Sequence, residues 1–280
     1  MAYGFSVAQG QPDLKMVWRN IDTAATSTLY VGQLEKTFSA TGAINGAAPL
    51  AQASGLADNS GGQIIDGIVI GFNTYPMAET FDSIYGQSMV YEATAAAQLA
   101  VPKMGNEGMD VKGDPGAKTL CALLNSESVI EGPICSTTPG TNIPVLTATG
   151  TPSTTAITVN ACQFTPTTAN LSTTYCRTGV NAGIYRVNAD TSTTSMTFTE
   201  AWPKTPAAGD TFVRVPLHKG TCMAQINGTS GIIGVAIDGA AAPATNYFLI
   251  NVHSLHLGTA GKEKVVFSFN PIHFATRLTT

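Results

Sequence analysis

A chain of 280 residues in which only 11% are charged and 44% hydrophobic, with 14 Lys and Arg against 18 Asp and Glu for a net charge of −4, is sized for one large or two modest domains. That balance excludes the electrostatic footprint of direct nucleic-acid binding, the one local cationic cluster being Lys262-Glu263-Lys264 with an acid inside it. No run approaches the roughly 18 apolar residues of a membrane span, and a charge fraction well below the usual quarter or so predicts a surface hidden against neighbours.

Taken in chain order, Met1–Asn20 lacks a basic region leading into an apolar core, so no signal peptide is expected and synthesis in a cytosol is. The same stretch has hydrophobic anchors, Phe5, Val17 and Trp18, but little regular period, and is expected to be an arm that contacts a partner. Thr28–Val31 reads as a strand, Asn45-Gly46 as a hairpin-type turn, and Ile64–Gly71 as a β-branched run punctuated by glycine; Gly86–Tyr91 supplies another strand. Short helices are predicted at Glu92–Leu99 and around Ala117–Leu124, where Ala and Leu concentrate.

From Gly132 to Cys176 there is no Asp, Glu, Lys or Arg, and Thr, Ser and Pro dominate. A helix of that length would expose charged side chains, so strand and turn are expected. Thr155–Val159, Gly183–Val187 and Met196–Thr199 alternate with a period of two, the mark of half-buried antiparallel strands. Gly231–Asp238 then resembles the earlier run Gln63–Gly71, which suggests that the flanks belong together. Asn246–Leu257 and Lys264–Phe274 are two further strands around a Gly-Thr-Ala-Gly turn, with Val265, Phe267 and Phe269 on one face as core residues. The predicted fold is all-β: an antiparallel barrel or sandwich from residues 1–146 and 216–280, with a small Thr-rich β-module at 147–215 inserted and short helices only.

Chemical motifs are sparse. Cys121, Cys135, Cys162, Cys176 and Cys222 are odd in number and contain no Cys-x-x-Cys pair; although a spacing of 14 recurs within Cys121/Cys135 and Cys162/Cys176, buried thiols are expected rather than bridges or a zinc site. His253 and His256 have metal-like spacing on a helix, but in a strand residues three apart point to opposite faces. Gly113–Thr119 departs from a phosphate loop because Ala117 stands where Gly should precede Lys118, and Pro115 removes an N–H. The carboxylate pairs Glu79/Asp82 and Glu127/Glu131 read as solvated surface, no Gly-x-Ser-x-Gly elbow exists, and all four histidines, His218, His253, His256 and His273, lie in the last quarter. No catalytic residue, metal or cofactor is expected. Tyr75, Tyr85 and Trp202 are the aromatics a sugar would stack on, although a Trp-Pro at a strand end more commonly caps a core.

The run Ala148–Thr151, the strand Thr155–Val159, the turn and strand Thr178–Val187, Ala201-Trp202-Pro203 and Pro206–Phe212 together resemble a small β-module that recurs in virion proteins of tailed bacteriophages. Tyr30-Val31-Gly32-Gln33-Leu34 and Ile233-Gly234-Val235-Ala236 resemble, more faintly, strands of phage capsid decoration (cement) proteins, which are shorter than this chain. The resemblance implies a non-catalytic protein of a virion, bound to the outer surface of the shell, with the major capsid protein and other copies of itself as partners. A symmetric homo-oligomer is the default expectation for a repeated assembly, trimers being common for β-rich proteins at threefold positions. No membrane or nucleic-acid partner is implied, and the alternative it leaves open is a receptor- or glycan-binding spike.

Overall fold

Alternating apolar and polar residues set nearly every described segment as a strand, and the fold is all-β. The computed structural model describes residues 5–8, 14–20, 29–30, 32, 34–38, 46–49, 65, 67–74, 90–91, 117–135, 142–162, 164–166, 171–229, 232–236 and 247–274. The chain forms two compact units, one of residues 1–51, 58–128 and 271–280, the other of residues 52–57 and 129–270.

The first unit contains β1 (Ser6–Val7), β2 (Met16–Asn20), β3 (Leu29–Tyr30), β4 (Leu34–Phe38), β5 (Gly46–Pro49), β6 (Gly67–Thr74), β7 (Val90–Tyr91) and β8 (Ala117–Leu123). Five of these form an antiparallel sheet in the order β2-β8-β6-β4-β5, and β3 pairs with β7. The helix expected at Ala117–Leu124 is instead the interior strand β8, bonded to β2 on one edge and β6 on the other. Helix propensity of Ala and Leu is worth only tenths of a kcal/mol per residue, and two ladders of backbone hydrogen bonds outweigh it. The small Cys121 and Ala122 suit a strand packed so closely, and both are fully buried. Gly46, of the expected hairpin-type turn Asn45-Gly46, pairs with Phe38 at the end of the β4–β5 ladder, and Asn45 lies outside the described residues. Residues 92–99, where the other helix is expected, lie outside the described residues; the one helical turn described is a 3₁₀ turn, Pro271–His273.

The second unit begins with β9 (Ile130–Cys135) and ends with β16 (Gly220–Thr229), β17 (Ile232–Ala236), β18 (Tyr247–His256) and β19 (Lys264–Phe269). These pair in the order β9-β17-β16-β18-β19, and β19 returns to β9 (Val265↔Gly132, Phe267↔Ile130), so the sheet closes on itself. Closure removes sheet edges. Val265, Phe267 and Phe269 are buried as expected, with Phe267 and Phe248 edge-on to Phe269 at 5.2 and 5.8 Å.

Between β9 and β16 lies the inserted module: β10 (Leu146–Thr149), β11 (Ala156–Val159), β12 (Ser172–Cys176), β13 (Tyr185–Asn188), β14 (Ser195–Thr197) and β15 (Thr211–Val215). Its order is β13-β12-β15-β10-β11-β14, antiparallel throughout. β10 gives Leu146 and Thr147 to β15 but Ala148 and Thr149 to β11, so the sheet curls around one apolar cluster. Leu146, Ala148, Ile157, Val159, Met196 and Phe212 line it, and Trp202 fills its centre, edge-on to Phe198 at 5.3 Å and Phe212 at 5.7 Å.

One inward residue is charged. Arg214 is fully buried; its Nε donates to Ser172 Oγ (2.9 Å), Nη1 to the Ser192 carbonyl (2.9 Å) and Nη2 to Asp190 Oδ1 (2.9 Å). Removing one partner of such a pair strands the other charge. Asp190→Ala is therefore expected to cost about 3–5 kcal/mol in urea unfolding, whereas Glu200→Ala, which breaks the exposed pair with Arg186, is expected to cost under about 1 kcal/mol.

Candidate interaction surface

The module's strands are two-sided. With Leu146, Ala148, Ile157, Val159 and Met196 inside, their neighbours Thr147, Thr149, Ala156, Thr158, Ser195 and Thr197 are carried on the opposite face. Register places Thr149 opposite Thr158, Thr158 opposite Ser195, and Ala156 opposite Thr197, giving a regular array of small side chains. Thr149, Thr158 and Thr197 are exposed, and none of the six positions is charged. Below the array, Asn160 fastens β10 to β11, accepting from the Thr147 N–H at 2.7 Å and donating to the Val145 carbonyl.

The other half of the outer face is covered. Val213 and Val215 are fully buried there, and the segment Leu255–Glu263 lies against it. Arg177 joins the two: its Nε donates to the Leu257 carbonyl at 3.1 Å and its Nη2 pairs with the buried Glu263 carboxylate, which also accepts the Gly261 N–H. The Tyr185 hydroxyl donates to the Leu255 carbonyl at 3.0 Å. The exposed array is thus held on a scaffold tied to the barrel by an ion pair and backbone acceptors.

The turns that carried the sequence resemblance meet at one end of the module. Asn181, fully buried, donates to the Lys204 carbonyl at 2.7 Å and accepts the Lys204 N–H at 3.2 Å. Thr178 Oγ1 accepts the Thr211 N–H at 2.8 Å, and the Asp210 carboxylate accepts the Ala207 N–H at 2.8 Å, closing the turn whose third residue is Gly209 at φ +92°. Gly179, at φ +84°, faces Asp210 so closely that a Cβ there would sit 2.2 Å from its Oδ1. These residues fasten loops; they present no nucleophile, base and acid in one place.

Residues considered as sites lie apart. Phe5, expected as a hydrophobic anchor for a partner, is buried, and its N–H donates to the Gly32 carbonyl at 2.8 Å. Val17 is half-buried and pairs with Cys121; Trp18 occupies the next position of β2, opposite Leu120. His253 bonds to Ser268 Oγ at 3.1 Å and His256 to Ser254 Oγ at 3.3 Å, with a bulge between Val252 and Ser254, and His218 Nδ1 lies 2.9 Å from the Lys219 carbonyl oxygen. Among the described residues no three His, Cys, Asp or Glu side chains gather as metal ligands. Glu131 pairs with Lys264, and Glu127 is an exposed turn residue. Trp202 is buried, so its ring faces are not open to a sugar; Tyr75, Glu79, Asp82, Tyr85 and Gly113–Gly116 lie outside the described residues.

All five cysteines are thiols, and four are buried. Burial, with the Asp210 charge adding to it, pushes Cys176 up to about 11, and its Sγ donates to the Thr178 carbonyl at 3.0 Å. Burial likewise pushes Cys222 up to about 11, although the His218 N–H donates to its Sγ at 3.3 Å. Such thiols stay protonated and inert at neutral pH.

No protein-family model, curated protein or solved structure matches the chain.

Two outcomes check this geometry. Gly179→Ala is expected to cost more in unfolding free energy than Gly150→Ala, which has open space at φ +68° and loses only the roughly 1–2 kcal/mol of a left-handed backbone. For the thiols, a folded value above the unfolded one means that stability is complete below about 9 and lost as pH rises toward about 11. Urea titrations across that window should show the decline, and Cys176 and Cys222 should resist alkylation at neutral pH until denaturant is added.

Proposed function

We propose that the chain is a non-catalytic structural protein of a tailed-phage particle, a decoration or cement protein that binds the outer surface of the shell and bridges its subunits. The observation that carries this reading is the exposed, uncharged Thr/Ser/Ala array on β10, β11 and β14. Docking a flat protein surface costs the entropy of every side chain it orders. Lys and Glu lose up to about 2 kcal/mol each on burial, whereas short hydroxyl side chains lose much less. The array also brings no buried charge to desolvate, and its hydroxyls both donate and accept, which suits contact with polar backbone on a neighbour. The low charge fraction of the whole chain agrees with repeated contacts inside a shell.

A stable contact of this kind buries roughly 1,200–2,000 Å² in total, and each copy is proposed to touch the major capsid protein and neighbouring copies of itself. The proposed location is the capsid surface, after synthesis in the host cytoplasm. Burial of Trp202 takes away one stacking platform from the glycan-binding alternative, and no other described residue favours that alternative.

Purified protein added to expanded shells that lack it is expected to bind stoichiometrically and raise their melting temperature. Thr158→Lys, placed in the middle of the array, is expected to weaken binding at least tenfold while leaving the melting temperature of the isolated protein unchanged. Absence of binding at micromolar concentration overturns the proposal, and full binding by the Thr158→Lys protein overturns the assignment of the face.

A further inference from the structure

An open sheet has two end strands, and in the module their outward backbone groups are treated differently. At β14, the bonds from Val159 N–H to the Thr194 carbonyl (2.8 Å) and from Phe198 N–H to the Thr155 carbonyl (3.0 Å) fix the parity: even-numbered residues face β11, and Ser195 and Thr197 point outward. Both outward N–H groups are occupied, Ser195 N–H by Ser192 Oγ at 3.0 Å and Thr197 N–H by Asp190 Oδ2 at 2.8 Å. That edge is closed to a further strand.

At β13 the bond from Cys176 N–H to the Ile184 carbonyl (3.0 Å) sets the opposite end. Arg186 and Asn188 therefore face β12, while the backbone of Tyr185 and Val187 points away from the sheet. Arg186 Nη1 covers the Tyr185 carbonyl at 2.9 Å, but among the described residues no side chain caps the N–H or carbonyl of Val187. The side chains of Tyr185 and Val187 share one face of this edge and are 40% and 41% exposed. β-Branched and aromatic residues on an uncapped edge are the ingredients of strand addition.

We propose that β13 is a strand-addition edge filled by β13 of a second copy, antiparallel across a twofold axis at Val187. The strand is complementary to itself. Because Val187 presents both N–H and C=O outward, a dyad there lets the two copies exchange a pair of hydrogen bonds and sets Val187 against Val187. The one charge on β13 does not oppose this: Arg186 donates to the Ala201 carbonyl from Nε (3.1 Å) and Nη2 (3.0 Å), pairs with Glu200 at 3.5 Å, and stacks 5.6 Å from the centre of the Trp202 ring. Tyr185 is held in place by its bond to Leu255, so the edge is ordered before it pairs. No shell is needed for this association, so it stands or falls separately from the function proposed above.

The test is sedimentation velocity on the full chain over a range of concentrations, with amide hydrogen exchange at Val187. The expected result is a reversible dimer in which Val187 N–H gains protection as concentration rises. Val187→Lys puts two like charges at the dyad and is expected to weaken dimerisation at least tenfold. Val187→Pro removes the outward donor without touching the β12 ladder, and is expected to act in the same direction. Thr197→Lys, on the closed edge, is expected to leave the dimer unchanged. A chain that stays monomeric at every concentration overturns the proposal, as does a dimer in which Val187 N–H exchanges as freely as in the monomer. If both Val187 variants lose their fold, the concentration dependence of exchange in the unmodified chain still decides.

Discussion

Arg214 imposes the constraint from which most of the module follows. A guanidinium in an interior lined by Leu146, Phe212 and Trp202 must find acceptors for its N–H groups, because stranded donors there cost more than the residue can return by packing. Ser172 supplies one from the neighbouring strand, but the others come from the connection between β13 and β14, through the Ser192 carbonyl and Asp190. That connection is thereby held against the sheet. Once held, it places Ser192 Oγ and Asp190 Oδ2 over the outward N–H groups of β14. The interior ion pair thus decides which edge of the sheet is closed.

The same logic explains the composition of the outer face. A thin curled sheet with its apolar residues turned inward leaves every second residue to solvent or to a neighbour. Thr has high strand propensity and a small polar end, so Thr147, Thr149, Thr158 and Thr197 support the strands without adding charge. Lys or Glu at those positions would keep the fold and change the surface. Thr149 Oγ1 also donates to the Thr158 carbonyl at 3.3 Å, so part of the array is ordered from within.

Much of this was legible in sequence because strands advertise themselves by a period of two. Val265, Phe267 and Phe269, and the alternation in Thr155–Val159, identify both the strands and their inward faces. Ala117–Leu124 misled because its Ala and Leu carry a helix signal, while what makes it a strand is supplied by β2 and β6, both more than forty residues earlier in the chain. The turn cluster was visible only as separate motifs. Thr178–Gly183 and Pro206–Phe212 each read as turn chemistry, and the Asn181–Lys204 and Thr178–Thr211 bonds that join them depend on a register no local pattern encodes. The one cue to Arg214 is that it stands in an otherwise apolar run, Phe212-Val213-Arg214-Val215, buried at all four positions, which leaves it no side of the strand facing water.

Tyr185 and Arg177 extend the same reasoning from sheet to scaffold. Both lie on the half of the outer face that meets Leu255–Glu263, and both end on carbonyls of that segment. A module joined only by its two chain connections would pivot, and a surface array is useful for docking only when its orientation is fixed before contact. The Arg177–Glu263 pair supplies that fixation at a fully buried carboxylate, where breaking it would leave a charge without a partner. The six outward positions of β10, β11 and β14 carry no charge while the covered half of the sheet contains an ion pair, so the rigid attachment and the neutral face lie on different parts of the module.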